Sequence, residues 1–565
     1  MNIKIAYDLV DFLEFLGINV AFGISGGFIV PIWQALSRSK KINVIHCRTE
    51  VGSVFCALEY SLCHDKIAIS FVTAGPGITN SLTGLKTAKL DGARVIFISA
   101  ITTEYLDGLW GAQETTAINV NALVQDDGQG YLDKVFIIKN EDEYLQARND
   151  IQKLVLSRKH FVIGVFLTTG VQTLTIKKQM LASFHPGLHL TNIISSADVS
   201  KLIELLLAKK SLFWLGFGAR HANKDIQKII ELTNSAVIAT PRGKGIISEF
   251  SKASIGTTGI GSIKKRIVEE IIGDSSRVVI VIMGTRLGEF SAFYLQKKFN
   301  NVDLFYIGLE ADKVRNNLPF NAIVFKSDIQ CFTKVLLNAL LDKLTHKPAV
   351  QYPALRVEFV DYVTKNNNNS AKTLHPVDVM NIIQKVAINE NNCYVAAEAG
   401  NSFCWASHYL KFFQPGRYRV GTAFGVMGHY ACGLVGIAAG NKECAIGIIG
   451  DGAMLMVNEV STAVRYSLPA IWLVMNDSSY NMCRQGLEML NSDPLDCDIP
   501  ATDFALFGRA LGANGYQVNN SQQLHDVMVE AIKNRNPTVI DIKIDKNVVP
   551  PIENRIERIK GLIND

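Results

Sequence analysis

Short apolar runs, glycine turns and helical stretches alternate along this chain of 565 residues. In the last third, an apolar run at 446–449 enters a G-D-G turn at 450–452. Helical periodicity then covers 457–466, and a second apolar run follows at 470–475. Apolar runs of this length are typical of buried strands, and parallel strands need a helical crossover between them. The pattern therefore predicts a βαβ unit in a parallel sheet.

The same alternation recurs in the other two thirds of the chain. Further strands are predicted at 18–23, 44–46, 67–72, 93–99, 211–215, 236–240, 278–283, 304–307 and 393–397. The pattern loosens at 179–190, where Pro186 interrupts it, and again at the asparagine run 366–369, so both segments are predicted to be linkers. We expect an α/β protein with three doubly wound parallel-sheet domains, over 1–178, 190–345 and 370–550.

Composition narrows the class of protein. Hydrophobic residues make up 48% and charged residues 19%, with a net charge of +5 and no basic, aromatic-laced stretch that would suggest nucleic acid. The sequence contains no run of about 20 uncharged apolar residues, so no membrane span is predicted. The first residues form an amphipathic pattern with Asp8, Asp11 and Glu14, unlike a signal peptide. The ten cysteines lack C-x-x-C or metal spacing, so we expect reduced thiols and a cytoplasmic location.

Two acidic residues follow neighbouring predicted strands. Asp451 follows the strand at 446–449, and Asp477 follows the strand at 470–475. Open α/β sheets bind ligands at the carboxyl ends of their strands, and oxygen ligands suit a Mg²⁺ ion that carries phosphates. G-D-G alone is equally the signature of a tight strand-to-helix turn, so these residues by themselves leave both interpretations open.

The order of the surrounding motifs resembles a known family. G-D-G, E-x-x-T-A, L-P, an apolar strand and N-D-x-x-Y resemble the diphosphate-binding motif of thiamin-diphosphate (ThDP) enzymes. In the first third, A-F-G-I-S-G-G, H-C-R-T-E, A-G-P-G-I-T-N and G-A-Q-E-T resemble the acetolactate synthase and pyruvate oxidase branch. The resemblance implies a pyrimidine-binding domain, a central FAD or nucleotide-type domain and a diphosphate-binding domain, in that order.

The resemblance implies catalytic roles in the first domain. Glu50 would hydrogen-bond N1′ of the cofactor's aminopyrimidine, although an acidic residue opening a helix is also explained by the helix dipole. Gln113 would face the reacting centre, or else be a loop amide that binds backbone groups. Gly26 would bring its backbone close to C2 of the thiazolium ring. The family places this glutamate and the diphosphate site on different subunits, which implies a homodimer or homotetramer.

The resemblance also implies the cofactor and metal ligands. Those for ThDP are Glu398, Gly400, Asn401, Ser402, Gly425, Met427, Gly450, Gly452, Ala453 and Met454. Those for Mg²⁺ are Asp451, Asp477 and the Ser479 carbonyl; the family usually has Asn at 477, and the Asp451–Asp477 interval is slightly short. Contacts for FAD would be Gly216, Gly218, Arg286, Glu310 and Asp328, the alternative being an empty site.

Three departures from acetolactate synthases concern the second substrate. Ala112 replaces a phenylalanine, Phe290 replaces the arginine that grips the acceptor's carboxylate, and Gly486 replaces a tryptophan. A guanidinium–carboxylate clamp is hard to replace, so these changes predict a roomier pocket that is less selective for anions. The chain also lacks, in its first third, the His-His pair of simple pyruvate-type decarboxylases.

We therefore expect ThDP-dependent decarboxylation of a small 2-keto acid, in the first place pyruvate. The hydroxyethyl unit would pass to an aldehyde or ketone, and a nucleotide-linked keto sugar, as in yersiniose formation, is compatible with the pocket. Three alternatives stay open: acetolactate synthase itself, a hydrolase or lyase acting on a diketone, and a degenerate binding subunit. Retention of Glu50, Gln113, Gly425, Met427 and Asp451 argues against the last of these.

Overall fold

The computed structural model describes residues 2–103, 107–125, 129–157, 160–179, 195–260, 278–292, 299, 302–344, 373–493 and 496–552. Within these ranges the chain forms three parallel six-stranded sheets covered by helices, one sheet in each third of the sequence. Strands such as Arg94–Ile101 and Phe161–Thr168 are buried along nearly their whole length, as expected for parallel sheets covered on both faces. This is the predicted three-domain fold.

The N-terminal sheet has its strands in the order Asn43–His46, Val20–Gly23, Ala68–Phe71, Arg94–Ile101, Phe161–Thr168 and Lys134–Ile138. A separate antiparallel pair joins Asn2–Lys4 to Thr175–Lys177. The helices are Ile5–Phe15, Val30–Arg38, Glu50–His64, Pro76–Asp91, Ala117–Asn121, Glu141–Ser157 and Thr169–Thr173, with a 3₁₀ turn at Gly27–Ile29.

The central sheet has its strands in the order Ser254–Thr257, Ala236–Ala239, Lys210–Leu215, Val278–Met283, Asp303–Ile307 and Ile323–Phe325. Its α-helices are Ser196–Ala208, Asn223–Thr233, Glu289–Ala292, Ala311–Val314 and Ile329–Leu344. Short 3₁₀ turns cover Phe217–Ala222, Pro241–Gly243 and Arg315–Asn317.

The C-terminal sheet has its strands in the order Tyr418–Val420, Tyr394–Ala397, Ala445–Gly450, Ala470–Asn476, Thr538–Lys543 and Asn514–Val518. The helices are Pro376–Ile382, which continues as a π-helix over Ile383–Glu390, then Asn401–Tyr409, His429–Asn441, Asp451–Met456, Val460–Tyr466, Asn481–Met489, Phe504–Ala510 and Ser521–Asn534. Among the described residues, no helix has the length and apolar character that crossing a bilayer requires.

The βαβ unit differs from the prediction in its crossover. The helix expected over 457–466 is shorter, Val460–Tyr466, and a separate helix that was not predicted, Asp451–Met456, precedes it, with the chain extended at Val457. Helical hydrogen bonding thus begins at Asp451 itself, and the G-D-G segment opens a helix instead of forming a free turn. Both predicted linkers, apart from Gln179, lie outside the described residues.

Two helices join the first and last domains. Glu50–His64 packs against His429–Asn441 so closely that a Cβ atom on Gly436 would stand 2.0 Å from the carbonyl oxygen of Cys56. Only glycine allows this approach of backbone to helix. The helix that begins at Glu50 is therefore fixed to the helix that follows the loop of Gly425 and Met427.

A buried ion pair strengthens this junction. Arg419 donates from Nε to Glu59 Oε2 at 2.7 Å, and His429 Nε2 lies 3.0 Å from Glu59 Oε1. Burial alone would raise the pKa of Glu59, but the charge of Arg419 and the His429 contact hold it well below its ordinary value. In the same region Arg242 of the central domain pairs with Asp91 at 3.0 Å. The relative placement of all three domains thus rests partly on paired buried charges.

Candidate active site

Two carboxylates lie at the carboxyl ends of adjacent strands in the C-terminal sheet. Gly450 and Met475 are paired in register, and Asp451 and Asp477 come directly after these strands. Asp451 Oδ1 accepts a hydrogen bond from the N–H of Gly452 at 2.7 Å, whereas Asp451 Oδ2 is buried with no hydrogen-bond partner among the described residues. An unpaired buried carboxylate oxygen beside a second carboxylate is the expected geometry of a hard divalent cation site.

The raised pKa values of Asp451 and Asp477 also indicate a cation site. Burial and the negative charge of Asp451 raise the pKa of Asp477 to about 7. Burial also raises the pKa of Asp451, although backbone N–H groups of residues 477–479 partly offset it. Two desolvated carboxylates in contact repel each other until a cation or a proton compensates their charge.

Ser479, the third predicted metal ligand, sits in the turn that follows Asp477. Its hydroxyl donates to the carbonyl of Cys497 at 3.1 Å, and the next N–H, of Tyr480, donates to the same carbonyl at 2.7 Å. The turn is therefore held from outside, with Ser479 itself buried. Backbone N–H groups of residues 477–479 also lie close enough to interact with the Asp451 carboxylate.

A polar network behind the pair was not anticipated from the sequence. Asn481 donates from Nδ2 to Asp477 Oδ2 at 2.7 Å and to the carbonyl of Lys546 at 2.9 Å. Gln485, one turn later, accepts at 3.1 Å from Nδ2 of Asn401 and lies near the same carbonyl. Helical spacing of Asn481 and Gln485 was the available signal, since residues four apart share a face.

The residues predicted to contact the diphosphate separate into two groups. Asn401 Oδ1 is buried without a hydrogen-bond partner among the described residues, so it is available to a bound group. Glu398 is not available in this way: its oxygens accept the N–H groups of Tyr430, Ala431 and Ala399 at 2.9–3.1 Å. Burial raises the pKa of Glu398. The Glu398 carboxylate caps the helix His429–Asn441. Gly400 and Ser402 flank Asn401 at the start of the helix Asn401–Tyr409.

The loop that precedes His429–Asn441 carries Gly425 at φ +66°, in the left-handed region. A Cβ atom on Gly425 would stand 3.5 Å from Cε2 of Phe290, so the ring lies beside this loop. Met427 is half-buried and packs on the core shared by the first and last domains. Gly450 directly precedes Asp451. Gly452, Ala453 and Met454, which follow Asp451 in the same helix, are buried.

The predicted catalytic residues of the first domain form two small groups. Gln113 accepts a hydrogen bond from the Thr73 hydroxyl at 3.1 Å, and a Cβ atom on Gly26 would stand 2.5 Å from Thr73 Cβ. Glu50 is the first residue of its helix, and Asn80 donates to Glu50 Oε2 at 3.3 Å. Thr73 was not predicted to be a site residue, although Thr73 directly precedes the A-G-P-G motif.

Comparison with known proteins identifies the family. Residues 3–122 match the model of the thiamine pyrophosphate enzyme N-terminal TPP binding domain, 199–336 its central domain, and 398–542 its C-terminal TPP binding domain. The chain belongs to the thiamine pyrophosphate enzyme family. As a ThDP enzyme it falls in the class of 2-keto acid decarboxylases and carboligases.

Similar curated proteins place this ThDP enzyme near one branch of the family. A probable acetolactate synthase large subunit of Methanococcus aeolicus is 22% identical, covering 96% of this chain and 93% of its own length. The isozyme 3 large subunit of Escherichia coli is 22% identical over 94% and 92%, and acetolactate synthase 1 of Nicotiana tabacum is 24% identical over 84% and 71%. The similarity supports an acetolactate synthase-like ThDP enzyme.

The residues present fit ThDP and a divalent metal ion. Asp451 Oδ2 and Asn401 Oδ1 are unpaired buried acceptors, and the carboxylate pair carries uncompensated negative charge. Both features favour binding of a cation, which in turn can hold the phosphates.

The residues predicted to hold FAD in this ThDP enzyme do not fit that cofactor. The N–H of Gly218 donates to the carbonyl of Gly284, and a Cβ on Gly216 would stand 2.5 Å from the same carbonyl oxygen. Arg286 is bound to Glu310 at 2.7–2.8 Å and also donates to the carbonyl of Leu90. Asp328 accepts the N–H of Cys331 at the start of a helix. Each predicted contact is thus engaged within the protein.

Exposed apolar side chains surround both halves of the site. Trp110 is 94% exposed close to Gln113, and Met456 is 60% exposed just beyond Asp451. Others of the same kind are Leu109 and Ile118 on the first domain, and Phe424, Leu455 and Tyr480 on the last. Apolar surface of this kind, clustered around a functional site, commonly marks an interaction surface.

Proposed function

We propose that this ThDP enzyme decarboxylates pyruvate or a similar small 2-keto acid and transfers the two-carbon unit to an aldehyde or ketone. The observation that carries the proposal is the position of Phe290 beside Gly425. The resemblance to acetolactate synthases implies a carboxylate-binding arginine at this position. An apolar ring cannot form a salt bridge with a carboxylate, so a neutral carbonyl compound fits better as acceptor.

The rest of the acceptor pocket supports the same preference. A Cβ atom on Gly486 would meet no described atom within 4 Å, which agrees with the open pocket wall that the resemblance implies at this position. Ala112 carries only a methyl group and is exposed. Phe290 also packs edge-on against Phe403, with ring centroids 6.5 Å apart, so its ring is held in place. A bulky acceptor, such as a keto sugar linked to a nucleotide, would be accommodated.

The cofactor would be bound in the C-terminal domain. Asp451, Asp477 and the Ser479 carbonyl would coordinate Mg²⁺, and Asn401 with the turn at Gly450 would lie at the diphosphate. Gly425 and Met427 would contact the aminopyrimidine. ThDP, when bound, supplies a nucleophilic carbon and the electron sink that decarboxylation of a 2-keto acid requires. The chain's own residues would bind the substrate, orient it and control protons.

A second copy of the chain would complete each site. In this proposal Glu50 from one subunit hydrogen-bonds N1′ of the aminopyrimidine held by the other, while Gln113 and the backbone of Gly26 line the reacting centre. The exposed apolar residues around Gln113 and Asp451 provide surface for such a contact. A homodimer is the minimum active unit, and a homotetramer contains the same contact twice.

FAD has no part in this proposal. Arg286 and Glu310 are paired with each other, and Gly216 and Gly218 pack on Gly284, so these predicted FAD contacts are already occupied within the protein. In this proposal the central domain contributes Phe290, which lies beside Gly425, to the acceptor pocket. A cytoplasmic location remains a prediction of the sequence.

Acetolactate synthase is the second candidate. The named relatives cited above favour it, since all three are acetolactate synthase proteins. It requires another cation to take the role of the missing arginine at 290.

Product analysis by mass spectrometry tests the two candidates against each other. The purified enzyme with ThDP, Mg²⁺ and pyruvate would be assayed alone and with a panel of aldehydes, ketones and keto sugars. We expect slow turnover of pyruvate alone and faster consumption when a neutral acceptor is present. Rapid formation of acetolactate from pyruvate alone would instead favour the synthase.

A further inference from the structure

A buried carboxylate joins the metal-binding segment to the start of the Glu50 helix. Glu459 lies shortly after Asp451 in the same segment and is fully buried. Its Oε1 accepts the N–H of Thr49 at 3.0 Å and the Thr49 hydroxyl at 3.1 Å. Its Oε2 accepts the N–H of Arg48 at 2.9 Å and the hydroxyl of Thr462. Glu459 is the glutamate of the E-x-x-T-A motif, for which neither the metal site nor the cofactor site accounts.

The N-terminus of the Glu50 helix is built around this carboxylate. Thr49 is the N-cap residue, and its side chain accepts the N–H of Gly52 at 3.1 Å. A Cβ atom on Gly52 would stand 2.4 Å from Glu459 Oε1, so a side chain there would displace the carboxylate. The negative charge of the Glu459 carboxylate also interacts favourably with the positive end of the dipole of the Glu50 helix. Glu459 thus fixes the two residues that immediately precede Glu50.

Loss of this carboxylate has a specific structural consequence. The N–H groups of Arg48 and Thr49 would lose the carboxylate oxygens that accept their hydrogen bonds. The chain would regain hydrogen bonds by shifting the first turn of the helix. Since Glu50 is the first residue of that turn, its carboxylate would move with it.

We propose that Glu459 is a positioning residue that holds the Glu50 carboxylate in place from the metal-binding segment of the same chain. The inference rests on the proposed role of Glu50 at the aminopyrimidine. Glu459 would touch neither substrate nor cofactor, and it would act through the backbone of residues 48 and 49. Turnover should therefore depend on Glu459 more strongly than the binding of pyruvate or ThDP does.

The test compares Glu459→Ala and Glu459→Gln in the full-length holoenzyme. A matched control is Glu249→Gln: the Glu249 side chain is also largely buried and accepts an N–H from another domain, that of Phe412, at 2.9 Å. Measurements are kcat, KM for pyruvate, ThDP affinity by quenching of tryptophan fluorescence, and hydrogen–deuterium exchange of peptides covering residues 46–56 without cofactor.

We expect Glu459→Ala to lower kcat on the order of 100-fold, the cost of a misplaced catalytic group, with KM and ThDP affinity within about threefold. Exchange at residues 46–56 should rise in this variant and not in the Glu249→Gln control. Glu459→Gln keeps one carbonyl oxygen as acceptor and should recover part of the lost kcat.

Three results would overturn the proposal, and Glu50→Gln tells the causes of the first two apart. If Glu459→Ala lowers kcat no more than the control does while Glu50→Gln is impaired, Glu459 is only a structural residue. If Glu50→Gln itself turns over normally, the role proposed for Glu50 fails, and the positioning role fails with it. Unchanged exchange at residues 46–56 would contradict the contact directly.

Discussion

The ring of Phe290 lies beside Gly425: a Cβ atom on Gly425 would stand 3.5 Å from Phe290 Cε2. The two residues belong to different domains and are far apart in the sequence, yet they meet at the loop predicted to contact the aminopyrimidine. In the proposed function, this apolar ring occupies part of the space that the second substrate would approach. The contact between Phe290 and Gly425 supports the proposed preference for a neutral acceptor.

Restoring a cation at this place should change the product. We expect Phe290→Arg to raise acetolactate formation from pyruvate about tenfold, because a guanidinium can pair with the carboxylate of a second pyruvate. The measurement is acetolactate formed per enzyme from pyruvate alone. Phe320→Arg, at a residue that is 96% exposed on the central domain, controls for the added charge. Equal acetolactate yields from both variants would show that Phe290 does not face the acceptor.

The carboxylate pair predicts opposite effects in the absence and presence of metal. Asp477→Asn removes a like charge next to Asp451, so the metal-free protein should gain about 2–4 °C in its unfolding midpoint, the shift that roughly 1 kcal/mol produces. The same variant should be stabilised less by Mg²⁺ and ThDP than the natural protein is. Differential scanning calorimetry with and without both ligands measures the two effects.

Asp451→Asn is the companion variant for the metal site. Asp451 holds the unpaired buried oxygen, so its loss should weaken binding of Mg²⁺ and ThDP more than Asp477→Asn does, by about 100-fold. Titration calorimetry gives both affinities. If the two variants bind equally well, the assignment of ligands within the pair is wrong.

Glu50 should be separable from cofactor binding. We expect Glu50→Gln to keep ThDP affinity within about tenfold and to lose on the order of 1,000-fold in turnover, the usual contribution of a group that controls a proton. Asn80→Ala removes only the side chain that donates to Glu50 at 3.3 Å and should have a small effect. Steady-state rates and ThDP binding curves for the three proteins test this role. Normal turnover by Glu50→Gln would exclude it.

The central domain predicts a protein without flavin. Because Arg286 is bound to Glu310 and the glycines at 216 and 218 pack on Gly284, we expect no visible flavin absorption in the purified protein. Added FAD should leave the turnover of pyruvate unchanged. Flavin that copurifies at one molecule per chain would contradict the structural argument.

The Arg286–Glu310 pair also predicts a dependence of stability on pH. Burial favours a higher pKa for Glu310, but Arg286 and His160 lower it to about 2, from an ordinary value of 4.5. A depressed pKa stabilises the folded state above the unfolded pKa, and this contribution is lost as the pH falls from about 4.5 towards 2.

The variant that tests this contribution is Glu310→Gln. Its free energy of unfolding should be lower than that of the natural protein at pH 7, and the difference should shrink progressively below about pH 4.5. Urea unfolding at several pH values measures it, with the exposed Glu231→Gln as control. A difference that is independent of pH would mean that the ion pair adds no stability.

The sequence by itself determined the strands and the edge of the sheet that carries the metal site. Apolar runs such as 446–449 and 470–475 became buried strands because a parallel sheet covered on both faces buries successive side chains on either side. Asp451 and Asp477 could be placed together because the carboxyl ends of adjacent parallel strands meet at one edge. The sequence did not predict the separate helix Asp451–Met456 or the extended break at Val457 in the crossover.

Tertiary structure alone decided which distant residues meet. Glu398 turned to cap a helix, Arg286 paired with Glu310, Phe290 reached Gly425, and Glu459 bound the backbone beside Glu50. Each contact joins segments that are separated in the chain or belong to different domains. Local periodicity reports which side of an element is buried and carries no information about the partner it is buried against. That choice is made by the packing of the domains as a whole.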